Sequence, residues 1–231
     1  KIVTVTGNII NDTSSEQTRT TTFGYSTDGY FPNTISQSLA TGDHITTVET
    51  DPATGQNTST TDVSDITTNT TYDSLARPKN ISKIGYPTQY LRYRKTTTPA
   101  NAIALIETTQ AGTPTTEIYQ DKLGRALQTR TEGFAGEWIY QTITYNQRGL
   151  KTTESAPYIL GDTINYTRYN TYDILGRPAE KILPQTNGSL TVNYDYTGLT
   201  TKIETVVTSG ENLTMFRTYN SLKQLVETVD A

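Results

Sequence analysis

The sequence contains no cysteine and only one histidine, His44. Without cysteine the chain forms no disulfide, and one histidine with no thiolate cannot provide the usual ligands of a zinc site. His44 also has no evident nucleophile with which to form a catalytic triad. We therefore interpret it as an ordinary surface or strand residue, and we predict neither a metal site nor a cofactor.

Long apolar runs and a basic excess are also missing, and helical patterns are nearly absent. No apolar stretch approaches the roughly 20 residues of a membrane-spanning helix, so we expect no membrane span. The net charge is −4, whereas a nucleic-acid-binding protein has an excess of lysine and arginine on its binding surface. We therefore expect no nucleic-acid partner. Residues 100–107 form the one segment that fits a helix, and their threonine-rich flanks favour a strand.

Threonine and tyrosine are abundant instead, with 49 and 16 of the 231 residues. Both residue types favour the pleated, half-buried surface of a β-strand. The hydrophobic share of 33% is low enough to suggest disorder, but β-branched and aromatic residues recur with turn residues between them. We therefore predict an all-β protein whose strands have one solvated face and a thin core.

A short motif recurs along the chain: Tyr, then Asp or Asn, two variable residues, and usually Gly and Arg. Copies begin at Tyr72, Tyr145, Tyr172, Tyr194 and Tyr219, and the last three spacings are 27, 22 and 25 residues. A sixth copy, at Tyr119, has one extra residue. Such a period indicates a repeat architecture, and strand, short Gly-containing loop and strand form an antiparallel β-hairpin. A lone hairpin is barely stable, so neighbouring hairpins must stack edge to edge.

The motif predicts one continuous repeat array over residues 1–231, built from about nine hairpins. Residues 1–70 contain degenerate copies, such as the turns at Asp28 and Asp51, and residues 71–231 contain clearer ones, with a weak copy near Tyr93. Residue 1 is Lys1 rather than Met, which leads us to expect a piece of a longer protein.

The candidate site residues are those that recur at equivalent motif positions, and we assign them a structural role. The acid hydrogen-bonds its own turn backbone, and Gly provides the positive φ that such turns need. We expect another turn type where Ala76 or Lys223 replaces Gly. The repeated arginines could form a binding row, but we expect each of them to cap or pair with a turn acid of the next hairpin. The predicted set comprises Tyr72, Asp73, Arg77, Tyr119, Asp121, Gly124, Arg125, Tyr145, Gly149, Tyr172, Asp173, Gly176, Arg177, Tyr194, Asp195, Gly198 and Tyr219.

The acidic and aromatic residues suggest two alternatives to this structural role. Paired carboxylates can hydrolyse glycosides and stacked aspartates can bind calcium, but each motif copy has one acid, always at the same position. We therefore predict no enzymatic activity and no catalytic, cofactor-binding or metal site. An aromatic-rich stretch either forms a cross-strand ladder, which we favour, or an exposed surface for sugars or a partner. It comprises Trp138, Tyr140, Tyr158, Tyr166 and Tyr169.

The motif Tyr172-Asp173-x-x-Gly176-Arg177 resembles the YD repeat of RHS proteins. Three segments precede this motif in the chain: residues 130–140, 145–149 and 155–162. Their order is similar to that in the YD-repeat region of bacterial insecticidal Tc toxin B components. The resemblance covers essentially the whole chain and is strongest over residues 119–185. It implies a spiralling sheet of antiparallel hairpins that forms part of a hollow shell around a toxic polypeptide.

We accordingly expect a structural shell segment of a large toxin-delivery protein, secreted by a bacterium or held on its surface. The expected partners are neighbouring repeats of the same polypeptide, an enclosed toxin segment and other components of a toxin complex. The alternative is an extracellular fibre or adhesin module that binds glycans or another cell surface.

Overall fold

The computed structural model describes residues 3–9, 17–39, 42–186, 188–207 and 211–231. In these ranges the regular elements are 20 β-strands and no helix, so no helix there is long and apolar enough to cross a membrane. The predicted all-β class of antiparallel hairpins is confirmed. The segment 100–107, which we interpreted as strand, is strand from Ala104 onward.

The chain divides into two compact units. Unit 1 consists of Lys1–Tyr93 and Ile106–Thr115, and unit 2 consists of Arg94–Leu105 and Thr116–Ala231. Two of the three boundaries fall within β8 (Gln89–Lys95) and β9 (Ala104–Gln110), and the third lies just before Thr116.

Unit 1 is a meander in which β1 to β7 each pair antiparallel with the next strand. Its threonine-rich strands have the residue types that a pleated surface favours. They are β1 (Val3–Ile9), β2 (Gln17–Tyr25), β3 (Pro32–Leu39), β4 (Gly42–Thr50), β5 (Asn57–Thr61), β6 (Thr67–Tyr72), β7 (Pro78–Lys83) and the start of β8.

Unit 2 continues the same antiparallel pattern, with one branch at β12. The first part of β12 pairs with β11 and with the short β14, and its last residues pair with β13. β13 then pairs with β15, and each later strand with the next. The strands are β10 (Thr116–Gln120), β11 (Ala126–Glu132), β12 (Trp138–Tyr145), β13 (Lys151–Ser155), β14 (Tyr158–Ile159), β15 (Tyr166–Tyr172), β16 (Pro178–Gln185), β17 (Gly188–Thr197), β18 (Thr200–Val206), β19 (Leu213–Tyr219) and β20 (Leu225–Asp230).

The meander of unit 2 sorts its turns onto two edges, because antiparallel neighbours reverse direction at every turn. The turns at 121–125, 146–150, 173–177, 198–199 and 220–224 follow strands that run the same way, so they share one strand-end edge. We call it the motif edge, and in unit 1 we give the same name to the strand ends that carry the turns at 51–56 and 73–77. The loops that contain Phe134, Leu160 and Glu211 lie at the other strand ends, which we call the opposite edge.

Few side chains are fully buried. The buried apolar residues in the described part of the chain are Ala102, Leu105, Tyr119 and Val192. Every residue of β11 and of β18 is half-buried, with no alternation along the strand. A covered face would alternate buried and exposed side chains, so the expectation of one solvated face is wrong for these strands. Within the described residues of unit 2, the contacts of these two strands are with neighbouring strands of the same sheet, so both of their faces stay partly solvated.

Candidate functional site: the repeated motif turns

Five of the six motif turns are five-residue loops, each closed by its first residue. In the copy at Asp73, the backbone N–H of Asp73 donates to the carbonyl of Arg77 (2.9 Å), and the N–H of Ala76 donates to the carbonyl of Asp73 (3.0 Å). The carboxylate Oδ1 of Asp73 accepts the N–H groups of Leu75 and Arg77 at 2.9 and 3.0 Å. One side chain therefore satisfies two backbone donors, which is the role the sequence predicts for an acid at this position.

The same network recurs in full in three further copies and in part in a fourth. Asp121 and Asp173 accept the equivalent pair of N–H groups at 2.8–3.0 Å. Asn220 accepts both through its amide oxygen, and Asn146 accepts the N–H of Leu150. The strand register shifts by one residue just before each of these turns. A short loop that ends in a left-handed residue and a β-bulge has this geometry.

The fourth residue of the turn adopts a left-handed conformation whether or not it is glycine. The φ values are 75° at Gly124, 80° at Gly149 and 79° at Gly176, and they are 60° at Ala76 and 62° at Lys223. The expectation of another turn type at Ala76 and Lys223 is therefore wrong. The hydrogen bonds of the first residue fix the loop, and the surrounding strands hold a residue with a Cβ in the strained conformation.

Two turns of this type lie outside the predicted set. Asp62 accepts the N–H groups of Ser64 and Ile66 at 2.9 and 3.1 Å, and the fourth residue, Asp65, has a φ of 58°. This turn has neither the preceding tyrosine nor the glycine, so the motif search missed it. Its acid at the start of a short loop was the available signal.

The turn at 133–137 places its carboxylate at the other end of the loop. Gly133 occupies the first position, and Glu137, in the fifth, accepts the N–H of Ala135 at 2.9 Å. A Cβ on Gly133 would collide with the Glu137 carboxylate. Glycine in the first position therefore leaves room for the acid in the fifth.

The copy at Tyr194 differs from its prediction. Tyr194 and Asp195 lie inside β17, with Asp195 opposite Lys202, and the hairpin closes through the two residues Gly198 and Leu199. The prediction that Asp195 begins a turn is wrong because a two-residue loop, with Gly198 at a φ of 60°, lets the strand extend further.

The motif arginines pair with the acid of their own turn. The carboxylate Oδ2 atoms of Asp73, Asp121 and Asp173 lie 2.6 Å from nitrogens of Arg77, Arg125 and Arg177. The expectation of a partner in the next hairpin is wrong, because the turn brings its first and fifth side chains together.

These ion pairs lower the pKa values of the turn carboxyls. Hydrogen bonding by the Arg77 side chain is the main cause that holds the pKa of Asp73 below its usual value, and Arg125 has the same effect on Asp121. At Asp173, desolvation acts to raise the pKa, but hydrogen bonds from Arg177 outweigh it and the pKa is lowered.

The same arginines reach a tyrosine of the next motif-edge hairpin. The guanidinium carbon lies over the ring centroid at 4.1 Å for Arg77 on Tyr93, 4.5 Å for Arg125 on Tyr145 and 3.9 Å for Arg177 on Tyr196. Cation–π contacts of this kind contribute roughly 0.5–1 kcal/mol at exposed sites. Each arginine thus joins its own turn to the hairpin that follows.

A strand-end tyrosine makes the return contact through its hydroxyl. The acceptor is always the carbonyl of the first residue on the returning strand of the previous motif-edge hairpin. The pairs are Tyr72 to Asn57 (2.7 Å), Tyr145 to Ala126 (3.0 Å), Tyr172 to Lys151 (2.5 Å) and Tyr196 to Pro178 (2.8 Å). We call this hydrogen bond the tyrosine staple. Tyr196, which the sequence analysis did not single out, supplies the staple where the motif placed Tyr194.

The last two predicted tyrosines have other contacts. Tyr219 connects to the previous turn through its backbone N–H, which donates to the carbonyl of Leu199 at 3.0 Å. In the copy with the extra residue, Gln120 takes the strand-end position, and Tyr119 is buried beside it.

Tyr119 belongs to a buried polar network. Its hydroxyl donates to Glu117 at 2.5 Å, and Arg130 Nε donates to the same carboxylate oxygen at 2.7 Å. Burial, with the hydrogen bond to Glu117, raises the pKa of Tyr119 to about 12. Burial alone would raise the pKa of Glu117 as well, but the bonds from Arg130 and Tyr119 lower it.

A second network has the same design around Glu154. Tyr169 and Lys151 both donate to this carboxylate at 2.9 Å. Burial and the bond to Glu154 raise the pKa of Tyr169 to about 12. Desolvation would raise the pKa of Glu154, but hydrogen bonds from Lys151 and Tyr169 lower it.

The aromatic stretch contributes to contacts between strands. The rings of Tyr140 and Tyr158 stack with centroids 5.7 Å apart, and Arg130 lies 4.3 Å over the ring of Trp138. These contacts support the ladder interpretation. His44 is exposed on β4, and the described residues include no group of three potential metal ligands.

Comparisons with known proteins show likeness at the level of the fold. No protein-family model matches the chain, and no curated protein matches it. The crystal structure of TcdB2-TccC3 aligns with 98% of the chain at a TM-score of 0.52 and 13% identity, and that of TcdB2-TccC3-TEV aligns with 98% at 0.50 and 12%. The chain spans 18% and 20% of those two chains.

Replacing Gly176 with valine should destabilise the protein. The residue has a φ of 79°, and a Cβ there would lie 3.4 Å from Leu150 Cδ2. We expect Gly176→Val to lower the free energy of unfolding by about 1–3 kcal/mol, measured by chemical denaturation. Ala76→Gly relieves the same strain and should act in the opposite direction. An unchanged free energy for Gly176→Val would contradict the turn assignment.

Removing one staple hydroxyl should cost about the value of a hydrogen bond. Tyr172→Phe keeps the ring and loses the bond to the Lys151 carbonyl, so we expect a loss of about 1 kcal/mol. Tyr30→Phe is the matched control, because Tyr30 is 78% exposed, and we expect a change within about 0.5 kcal/mol. Equal effects of the two variants on thermal denaturation would show that the staple contributes nothing.

The raised pKa values of Tyr119 and Tyr169 should make the protein sensitive to alkali. Their pKa is raised from 10.0 to about 12, so between these values the folded state keeps protons that the unfolded state has lost. The stabilisation is complete below pH 10 and is lost as the pH rises toward 12. We expect Tyr119→Phe/Tyr169→Phe to flatten the decline of the unfolding free energy with pH in this range. A slope as steep as that of the parent chain would argue against these pKa shifts.

Proposed function

We propose that the chain is a wall segment of a hollow shell in a large toxin-delivery protein of the YD-repeat, Tc type. The observation that carries the proposal is the repeated staple between successive motif-edge hairpins. Backbone pairing joins each strand to its neighbour, and the staple fixes each turn to the previous one. A sheet assembled in this way has no opening between strands through which a polypeptide could pass.

The burial pattern supports a wall more than a compact binding domain. Strands such as β11 and β18 are half-buried along their whole length, so their sheet needs no second layer in order to fold. One face is then available to an enclosed chain and the other to solvent. Because these faces are rich in threonine, they offer no large apolar surface on which an enclosed polypeptide would bind permanently.

The likeness in fold and the sequence motif support the same class. The chain aligns almost completely with a fifth or less of TcdB2-TccC3, as a wall segment of a larger shell would. By this analogy its partners are the neighbouring repeats, an enclosed toxic segment and other toxin-complex components, and its location is outside the bacterial cell or on its surface. We propose no enzymatic activity and no cofactor for this segment.

The adhesin alternative receives less support from the aromatic residues. Arg130 covers one face of the Trp138 ring, and Tyr140 stacks on Tyr158. Rings in such contacts are poorly placed to stack on sugars. A glycan array that shows binding by the parent chain and none by Trp138→Ala would favour the adhesin.

The decisive experiment is electron microscopy of the longest native protein that contains this segment. We expect a closed shell with weak density inside it, since an unfolded cargo adds mass without fixed structure. An open fibre or a solid particle would overturn the proposal. Limited proteolysis adds a second measure: the enclosed segment should resist protease in the parent protein and lose that protection in Tyr145→Phe/Tyr172→Phe, with Tyr30→Phe as the control.

A further inference from the structure

The two strand-end edges of unit 2 carry opposite charge. At the motif edge Lys122, Arg148 and Lys223 are exposed, while Arg125 and Arg177 neutralise the acids of their own turns. At the opposite edge the described loop residues 133–137, 156–165, 207 and 211–212 contain acids and no lysine or arginine. These acids are Glu137, Asp162 and Glu211.

Both edges also expose large apolar side chains. At the motif edge Leu123, Leu175 and Leu222 all occupy the third position of their turns and are 68%, 74% and 76% exposed. At the opposite edge Leu160 and Leu213 are 71% and 66% exposed, and Phe134 is fully exposed. Each edge thus combines apolar tips with charge of one sign.

The turn itself does not require leucine at the third position. Its network uses only the backbone N–H of that residue, as in the bond from Leu123 to Asp121 Oδ1 at 2.9 Å. Ser64 makes the equivalent bond in the turn at Asp62, and Arg148 occupies the third position of the turn at Asn146. The turn therefore forms without leucine at this position, and apolar side chains exposed along one edge provide a surface on which a partner can bind.

We propose that these edges are complementary docking surfaces that join copies of this chain head to tail. The motif edge of unit 2 in one copy binds the opposite edge of unit 2 in a second copy. Apolar tips meet at the centre, and lysine and arginine face glutamate and aspartate around them, as in protein interfaces with an apolar core and a polar rim. The contact uses different surfaces on the two copies, so it does not close on itself and adds further copies.

The inference does not depend on the shell proposal, since it concerns the chain alone. In a shell the same contact would join one pass of hairpins to the next. If the isolated chain stays monomeric, the docking proposal fails but the shell proposal can still hold. If the chain associates but the native protein is a fibre, the shell proposal fails and the docking proposal stands.

Sedimentation velocity of the whole chain, from about 1 to 200 µM, tests the docking. We expect concentration-dependent association that weakens at least several-fold between low salt and about 0.5 M salt, because salt screens exposed charges. A chain that remains monomeric over this range at low salt would overturn the proposal.

Charge reversal identifies the surfaces. Lys122→Glu/Arg148→Glu makes both edges acidic, and Asp162→Lys/Glu211→Lys makes both basic, so each variant alone should associate at least about tenfold more weakly. Mixing the two variants pairs opposite charges again and should restore association. If neither variant weakens association, or if the mixture does not recover, the edges are not the docking surfaces.

The apolar tips have a matched control within the chain. Leu123→Asn/Leu175→Asn/Leu222→Asn should weaken association at least about tenfold. Leu75→Asn changes the same turn position in unit 1, where Leu75 is 70% exposed, and should leave association unchanged. Equal effects of the triple variant and the control, in chains with matching circular dichroism, would contradict the proposed surface.

Discussion

The tyrosine staple is the contact on which the array depends, because so little apolar surface is buried elsewhere. With four fully buried apolar residues in the described part of the chain, the hydrophobic effect acts mainly through half-buried side chains rather than through a compact core. Strand pairing alone leaves each hairpin marginal. A hydrogen bond of about 1 kcal/mol that recurs at Tyr72, Tyr145, Tyr172 and Tyr196 adds up along the chain. Stability is then a sum of nearest-neighbour terms, as in other repeat proteins.

The fifth residue of the turn connects local geometry to this neighbour contact. Arginine does two things at once: it neutralises the acid that closes its own turn, and it covers the tyrosine of the next hairpin. Where Leu150 replaces arginine, its Cδ2 would lie 3.4 Å from a Cβ at Gly176 in the next motif turn, so this position still contacts its neighbour. Arg125 likewise approaches Gly149. The position therefore accepts a charged or an apolar side chain, provided that it reaches the following turn.

The sequence predicts the strand class and most of the motif turns, because residue type and spacing fix local conformation. It fails where the outcome depends on contacts between segments. Tyr194 and Tyr196 both lie a few residues before Gly198, so the spacing in the sequence does not distinguish them. Only the loop length of the folded hairpin shows that Tyr196 makes the staple. The motif does not predict the turn at Gly133, because the carboxylate of this turn belongs to Glu137 in the fifth position and not to the first residue. The partner of each arginine and the partial exposure of both faces also depend on three-dimensional neighbours, so no local pattern contains them.

The distribution of polar and apolar groups determines the directions in which such a sheet can grow. Its faces are threonine-rich and half-solvated, so a second sheet has little to gain by packing on them. Across the strands, hydrogen bonding and staples extend the sheet from hairpin to hairpin. Along the strands, the apolar tips and opposite charges of the two edges provide the second direction of contact that we infer. A sheet that extends both ways and stays one layer thick is a surface, which is why the edge contacts and the shell proposal are physically compatible although each is tested separately.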